Sequence, residues 1–388
     1  MKSAAALLRD RRLLLLFAVT TVAVGNVSSI TPAFPAMMQA LGISEVVAGW
    51  LVTAYALPGI ASAPLVGVWA DRWGRKRALV AALVVFAVAG SACAVARSFP
   101  LLVALRAVQG AAAAPLVALS ITIIGDRYDG ARRTTAIGYN ATALSISTAA
   151  YPALGGALAA LAWYLPFALP VLALPVAAGV AWGLDPHPPT QHKTLQTYGR
   201  VVREGLARPR VLHVLIVSAG VFTLLFGAYL TYLPVLMSRH LAASSVLSGG
   251  VLALTSVASA AMATQLGRLQ AHGALARWLV AALGCNALAF ALLATAAGWA
   301  GVVSGAVLFG VGQGINQPAL QNLLVDAAPA ESRAVTLALN STALRIGETI
   351  GPLLMGGLLQ WGGAPAVFGA AALGAGLLAG LVQFLIVS

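Results

Sequence analysis

Glu348 and Arg345 lie three residues apart in the apolar stretch 333–360, a spacing that puts both on one face of a helix. Glu348 is the acid of this chain that falls in the middle of an apolar stretch. Burial disfavours the charged form of a carboxyl, so an acid at that depth can take up and release a proton. The neighbouring guanidinium favours the charged form, and a fixed ion pair accounts for the same two residues. Proton coupling through Glu348 with Arg345 and a static structural pair both stay open on spacing alone.

Arg106 and Gln109 pose a similar choice in the stretch 100–125. A guanidinium deep in a helix is costly unless it meets water, a carboxylate or backbone carbonyls. Arg106 therefore either lines a wet cavity, binding a solute or assisting proton transfer, or ties down carbonyls of the first apolar stretch. Gln313, Gln317 and Gln321 recur at four-residue intervals with Asn316 alongside, one polar stripe on a helix. Facing hydrocarbon, each amide would lose its water hydrogen bonds without replacement. Facing a cavity, the stripe can donate to and accept from a solute; bonding between helices is the plainer use. The expected lining is Asn26, Arg106, Gln109, Gln313, Asn316, Gln317 and Gln321. Tyr55, Asn140, Tyr229 and Asn340 are secondary members, each equally a packing residue.

The elements that carry these groups are membrane helices. The composition is 60% apolar and only 9% charged, against about a quarter charged in soluble domains. Apolar stretches long enough to cross roughly 30 Å of hydrocarbon are read at 13–41, 46–70, 78–97, 100–125, 133–160, 163–184, 211–239, 246–267, 278–297, 299–325, 333–360 and 364–387. The expected fold is all-α, with twelve spans. The net charge of +13 does not call for nucleic acid. With the N-terminus inside, nineteen of the 23 Lys and Arg fall on the cytoplasmic side, the positive-inside bias. Both termini are then cytoplasmic. The basic start from Lys2 to Arg12 leads into an apolar run too long for a signal core, and is read as the first span. Cys93 and Cys285 fall inside spans and imply packing, neither a disulfide framework nor a metal site.

The longest polar interruption, 185–210, divides the chain into halves at 1–184 and 211–388. Placing residue n beside n + 200 aligns them. Between 133 and 158, ten of 26 positions are identical, among them Arg133/Arg333, Asn140/Asn340, Thr142/Thr342, Pro152/Pro352 and Gly156/Gly356. Gly67/Gly267 and Asp126/Asp326 obey the same offset. Parallel repeats of six helices are a transporter architecture, for which the major facilitator superfamily is the standing example, with a midplane cavity between the halves.

Between the second and third spans runs Gly67-Val68-Trp69-Ala70-Asp71-Arg72-Trp73-Gly74-Arg75-Lys76-Arg77. Its spacing, G-x-x-x-D-R-x-G-R-K-R, resembles the signature loop of the major facilitator superfamily. Arg106-Ala107-Val108-Gln109-Gly110 resembles that family's R-x-x-Q-G element. Tyr151-Pro152-Ala153-Leu154-Gly155-Gly156 is similar to the end of its antiporter motif, with Ser147 and Tyr151 in two glycine positions. Trp69 stands where leucine is common. The resemblance implies twelve helices in two pseudo-symmetric bundles that rock about a central cavity.

It also implies roles. Gly67 and Gly74 permit close approach and a sharp turn, and Asp71, with Arg72 and Arg75, closes the cytoplasmic side against the start of the eleventh span, where Arg333 is its expected ionic partner. Asp126-x6-Arg133 and Asp326-x6-Arg333 are expected in the same network; anchoring and helix caps are the competing explanation. Pro152, Gly155 and Gly156 are expected to bend the fifth span and pack it on the eighth. The function implied is proton-driven efflux of small organic molecules from a monomer in the cytoplasmic membrane, in contact with lipid, with no cofactor and no nucleic acid. Uptake or exchange of a small organic anion is the alternative, favoured by two intramembrane arginines against one acid. A nucleophile–base set, a metal cluster and a phosphate loop are all missing from the sequence, which speaks against an enzyme.

Overall fold

A computed structural model describes residue 7, residues 9–185, residues 203 and 206–328, and residues 333–387; the side chains of 333–335 and 387 lie outside that description. Every regular element among the described residues is helical. These residues form two compact units, one from Met1–Leu41 and Ala54–Lys193, the other from Gly42–Thr53 and Thr194–Ser388.

In the first unit, α1 (Arg11–Val24) is capped by Asp10, whose carboxylate accepts from the Arg12 amide. It ends at Gly25, and the chain turns through residues 25–30 and a short 3-10 segment, Thr31–Ala33, into α2 (Phe34–Leu41). The expected span 13–41 is thus broken, because Pro32 lacks an amide hydrogen and Gly25, Asn26, Ser28 and Ser29 are poor helix formers. Next come α3 (Glu45–Trp73) and α4 (Arg75–Val95), separated by Gly74 at φ 100, a region that favours glycine. Pro115 interrupts the fourth stretch between α5 (Phe99–Ala113) and α6 (Leu116–Arg127). Then follow α7 (Gly130–Leu161), a proline-bearing 3-10 segment Leu165–Leu172, and α8 (Ala173–Gly183). Within this unit α4 packs on α5, the 3-10 segment and α8, and α1 packs on α6, α7 and α8.

The second unit holds α9 (Pro209–Phe222), a π segment Thr223–Leu230, and α10 (Thr231–Leu241). The wide turn suits Pro234, which has no N–H to give, and the Thr231 hydroxyl donates five residues back to the Phe226 carbonyl at 2.5 Å. There follow α11 (Ser245–Ala263), α12 (Leu266–Ala271), α13 (Leu275–Ala294), α14 (Trp299–Ala327) and α15 (Arg333–Val382). α15 runs through a break at Gly362 and Gly363, the latter at φ 65. The helices α13, α14 and α15 pack on one another, and α15 also packs on α9 and the π segment. The Gly42–Thr53 piece is held in this unit by an ion pair between Glu45 and Arg239 and by the Thr53 hydroxyl on the Thr349 carbonyl at 2.9 Å.

Nine helical stretches among the described residues are long and apolar enough to cross a membrane. One of them, Thr336–Ile386, covers the last two of the expected twelve spans. The two expected spans outside the nine are the broken first and the amide-rich tenth, α14. The repeat shows in the element boundaries: α2 and α10 end at Leu41 and Leu241, α3 and α11 begin at Glu45 and Ser245, α5 and α14 begin at Phe99 and Trp299.

Candidate functional site

Gly110 brings α5 against α3: a Cβ added there would lie 1.8 Å from the Tyr55 carbonyl oxygen. That approach puts the Tyr55 ring 4.3 Å from the Arg106 guanidinium carbon, a cation–π contact. Arg106 is wholly buried and donates to Gln109 Oε1 at 2.7 Å. Gln109 Nε2 in turn donates to Asn26 Oδ1 at 2.5 Å, and Asn26 reaches the Val22 carbonyl at 3.5 Å. Arg106 thus reaches the first span through two amides, an arrangement that neither expected reading contained. The three residues expected to line a cavity form one chain that fixes α5 to the end of α1.

The antiporter-like segment packs on the first span. A Cβ at Gly155 would meet the Ser29 carbonyl oxygen at 1.9 Å. Tyr151, in a glycine position of the motif, lays its ring over Gly25, 1.9 Å from where a Cβ would stand. The missing glycine of one helix is therefore supplied by its neighbour. Pro152 and Gly156 are buried on the same helix, and Asn140 accepts from the Thr20 hydroxyl at 2.8 Å. In the second unit Gly347 and Gly351 do the same on α9 and the π segment, against Ala219, Thr223 and Gly227.

At the signature loop, Arg75 pairs with Asp126 and lies 3.4 Å from Asp71. Asp126 and Arg133 were expected in one network with Asp71, and Asp126 reaches Asp71 through Arg75. The helix breaks between Asp126 and Arg133, with Gly130 at φ 52, so the spacing does not put them on one face; the Arg133 guanidinium packs on Gly125 instead. Gly67 was expected at a close helix approach, yet a Cβ there would meet nothing among the described residues within 4 Å. Arg72 and Asp326 are exposed, and the Arg333 side chain lies outside the described residues.

A second ionic group went unread in the sequence. Asp185 bridges Arg12 and Arg127 at 2.9 Å each, and the Tyr128 hydroxyl donates to Asp10 at 2.5 Å. Arg127 above all holds the exposed Asp185 carboxyl below its ordinary value. Burial alone would raise Asp10, but the Tyr128 hydroxyl and the Arg12 amide outweigh it and hold the carboxyl low. Burial first, and then the bond to Asp10, push the Tyr128 phenol up to about 12.

In the second unit the amide stripe divides. Gln313 and Asn316 are buried, 8% and 0% exposed, whereas Gln317 and Gln321 are exposed. Each four-residue step drifts by about 40° on a 3.6-residue helix, so Gln321 has left the face of Gln313. Neither amide atom of Gln313 or of Asn316 has a hydrogen-bond partner among the described residues, and the same is true of Asn286 Oδ1 on α13. Asn286 lies over Gly312, where a Cβ would stand 2.0 Å from that oxygen. Glu348 is buried and Arg345 half-buried on α15.

The chain matches the Major Facilitator Superfamily over residues 16–343 and again over 236–388. It belongs to that superfamily. A chloramphenicol resistance protein of Streptomyces lividans is 29% identical over 332 residues, 82% of either chain. An MFS-type efflux pump, MMF1, of Pseudozyma antarctica is 33% identical over 148 residues, 38% of this chain and 27% of its own length. The multidrug export protein EmrB of Escherichia coli K12 is 31% identical over 124 residues, 32% of this chain and 24% of its own length. Among solved structures, a point mutant of the nucleoside transporter NupG superposes with a TM-score of 0.82 at 13% identity, over 97% of this chain and all of that one. A D-xylose–proton symporter gives 0.77 at 13% identity, over 97% of each chain.

For a member of this superfamily, the two units use their buried amides differently. In the first unit one buried run of contacts joins Tyr55, Arg106, Gln109 and Asn26. The second unit holds buried amides with open hydrogen-bonding capacity. Asn286 was missed in the sequence, where a lone amide in an apolar stretch gave no periodic signal. Only its packing on Gly312 brings it to the stripe.

Proposed function

We propose that this superfamily member exports small neutral organic molecules across the cytoplasmic membrane, driven by inward proton flow and by alternating access of two six-span halves. The observation that carries this reading is the match to a chloramphenicol resistance protein along 82% of both chains. Glu348 is the proposed proton carrier, with Arg345 tuning it. Asp71, Arg75 and Asp126 are proposed to brace the cytoplasmic side, and Gly67, Gly74, Arg72, Arg133, Asp326 and Arg333 are proposed for the same gating role. The anion-exchange alternative loses support from Arg106, which is enclosed and engaged by Gln109 and Tyr55.

The test is uptake of radiolabelled chloramphenicol, as a neutral probe, into everted membrane vesicles. Wild type should accumulate it when a pH gradient is imposed and lose it on adding a protonophore. Glu348→Gln should abolish gradient-driven accumulation while sparing probe exchange at equal pH. Equal gradient-driven flux in the two proteins would remove Glu348 from the mechanism. Flux that needs an opposing anion and ignores the protonophore would install the exchange reading.

A further inference from the structure

The buried amides of the second unit lie between two apolar cores. One contains Tyr229, Phe290, Phe309 and Phe368; the other contains Leu215, Leu279, Leu283, Ile315 and Leu320. Along α13, Asn286 falls between Leu283 of one core and Ala289 of the other; along α14, Gln313 falls between Phe309 and Ile315. Asn286 packs on Gly312, and Asn316 is one helical turn further along the same face of α14, with Gln313 three residues before it. The three side chains are 1%, 8% and 0% exposed, in the order Asn286, Gln313, Asn316. Five of their amide atoms have no partner among the described residues.

The fold does not need amides at these places. The residues at the equivalent positions of the first half are Phe86, Ala113 and Leu116, all buried. The equivalence holds at close range, because Gly110 abuts the Tyr55 carbonyl and Gly310 abuts the Thr255 carbonyl. Polar atoms placed where the same scaffold accepts phenyl and isobutyl groups, and left without protein partners, are poised for something that enters.

We infer that Asn286, Gln313 and Asn316 form a neutral hydrogen-bonding subsite inside the second unit, which takes a hydroxyl or carboxamide group of the transported molecule. The inference rests on the proposed export of neutral solutes. An amide presents both a donor and an acceptor, so three of them match a group that does the same. None of the three carries charge, so the subsite offers no counter-ion to a carboxylate or an ammonium. Gln313 is the least enclosed of the three, at 8% exposed.

The experiment compares the full-length protein with Asn316→Leu, Asn286→Leu and Gln313→Met, substitutions that keep volume and remove the polar atoms. Melting in detergent is measured with and without the radiolabelled neutral amide used above, together with its equilibrium binding. The expected result is variants that melt at or above wild type and bind the probe at least tenfold more weakly. Variants that melt several degrees lower would show the amides bonded within the fold, and the subsite would fall. Variants that melt higher but bind as wild type does would show a layer that holds only water, which also overturns it. So would a wild-type protein that binds no probe at millimolar concentration. Wild type that binds the probe tightly but does not move it under a pH gradient would sink the export proposal and leave the subsite standing.

Discussion

Two glycines in the family-like motifs should respond oppositely to alanine. At Gly110 the added Cβ would lie 1.8 Å from the Tyr55 carbonyl oxygen, against an unstrained separation of about 3.5 Å. The obstacle is backbone, so relief requires α5 and α3 to move apart by more than an ångström. Overpacking of that kind costs about 1–3 kcal/mol, and more where no side chain can yield. The shift also draws Arg106 from the Tyr55 ring. At Gly67 nothing among the described residues lies within 4 Å of the added Cβ, and the residue is helical. Alanine there should gain about 0.5–1 kcal/mol from helix propensity. Thermal melting of the purified protein in detergent checks both. Gly110→Ala should melt several degrees lower and Gly67→Ala at or slightly above wild type. A Gly67→Ala protein that melts as low as Gly110→Ala would refute the reasoning, since it would require a close neighbour at Gly67 in the native ensemble.

The cluster at Asp10 and Tyr128 should make stability fall at both pH extremes. Asp10 sits below its unfolded value, so its contribution is present above about pH 4 and is lost as pH falls through the native value; Tyr128, raised to about 12, contributes below the ordinary phenol value and loses that as pH climbs toward 12. Melting midpoints across pH should show the alkaline decline in wild type and a flatter curve in Tyr128→Phe, and identical curves would dismiss the coupling. Asp71→Asn removes one of the two carboxylates at Arg75, which should cost under about 1 kcal/mol of stability but raise labelling of a cysteine introduced on the cytoplasmic side. Unchanged labelling would argue that Asp71 only anchors the loop.

What the sequence made legible was whatever the backbone enforces. Gly74 at a positive φ, Pro152 within α7 and the offset between halves could be read from residue type, because few other residues serve there. Partner choice could not. Arg75 is four residues from Asp71 across the turn at Gly74, but its tighter pair with Asp126, 51 residues on, has no spacing signal. The first span misled for a related reason. Asn26 was read as cavity lining, when together with Gly25, Ser28, Ser29 and Pro32 it also ends a helix. The amide stripe was half legible: a four-residue period predicts a face over two turns but not over three. Asp10, Tyr128 and Asp185 had no spacing signal, being joined only through space at the ends of three segments.

The repeat itself separates what is constrained from what is free. Gly110 over Tyr55 recurs as Gly310 over Thr255, since the helices can approach only where a Cβ is missing. The chemistry beside those contacts does not recur. Asn26, Arg106 and Gln109 correspond to Phe226, Ala306 and Phe309, and there the second unit has Tyr229 stacked on Phe309 with ring centres 4.1 Å apart. Thr20, which bonds Asn140, corresponds to Gly220, whose space is filled by Leu378; Asn340 Oδ1 is left without a partner among the described residues. At these positions one half is polar where the other is apolar, except that Asn140 and Asn340 are shared. The close helix contacts keep equivalent positions in the two halves, while the buried hydrogen-bonding groups named above do not. A single scaffold can in this way carry a bonded guanidinium in one half and, in the other, the amides proposed above to meet a solute.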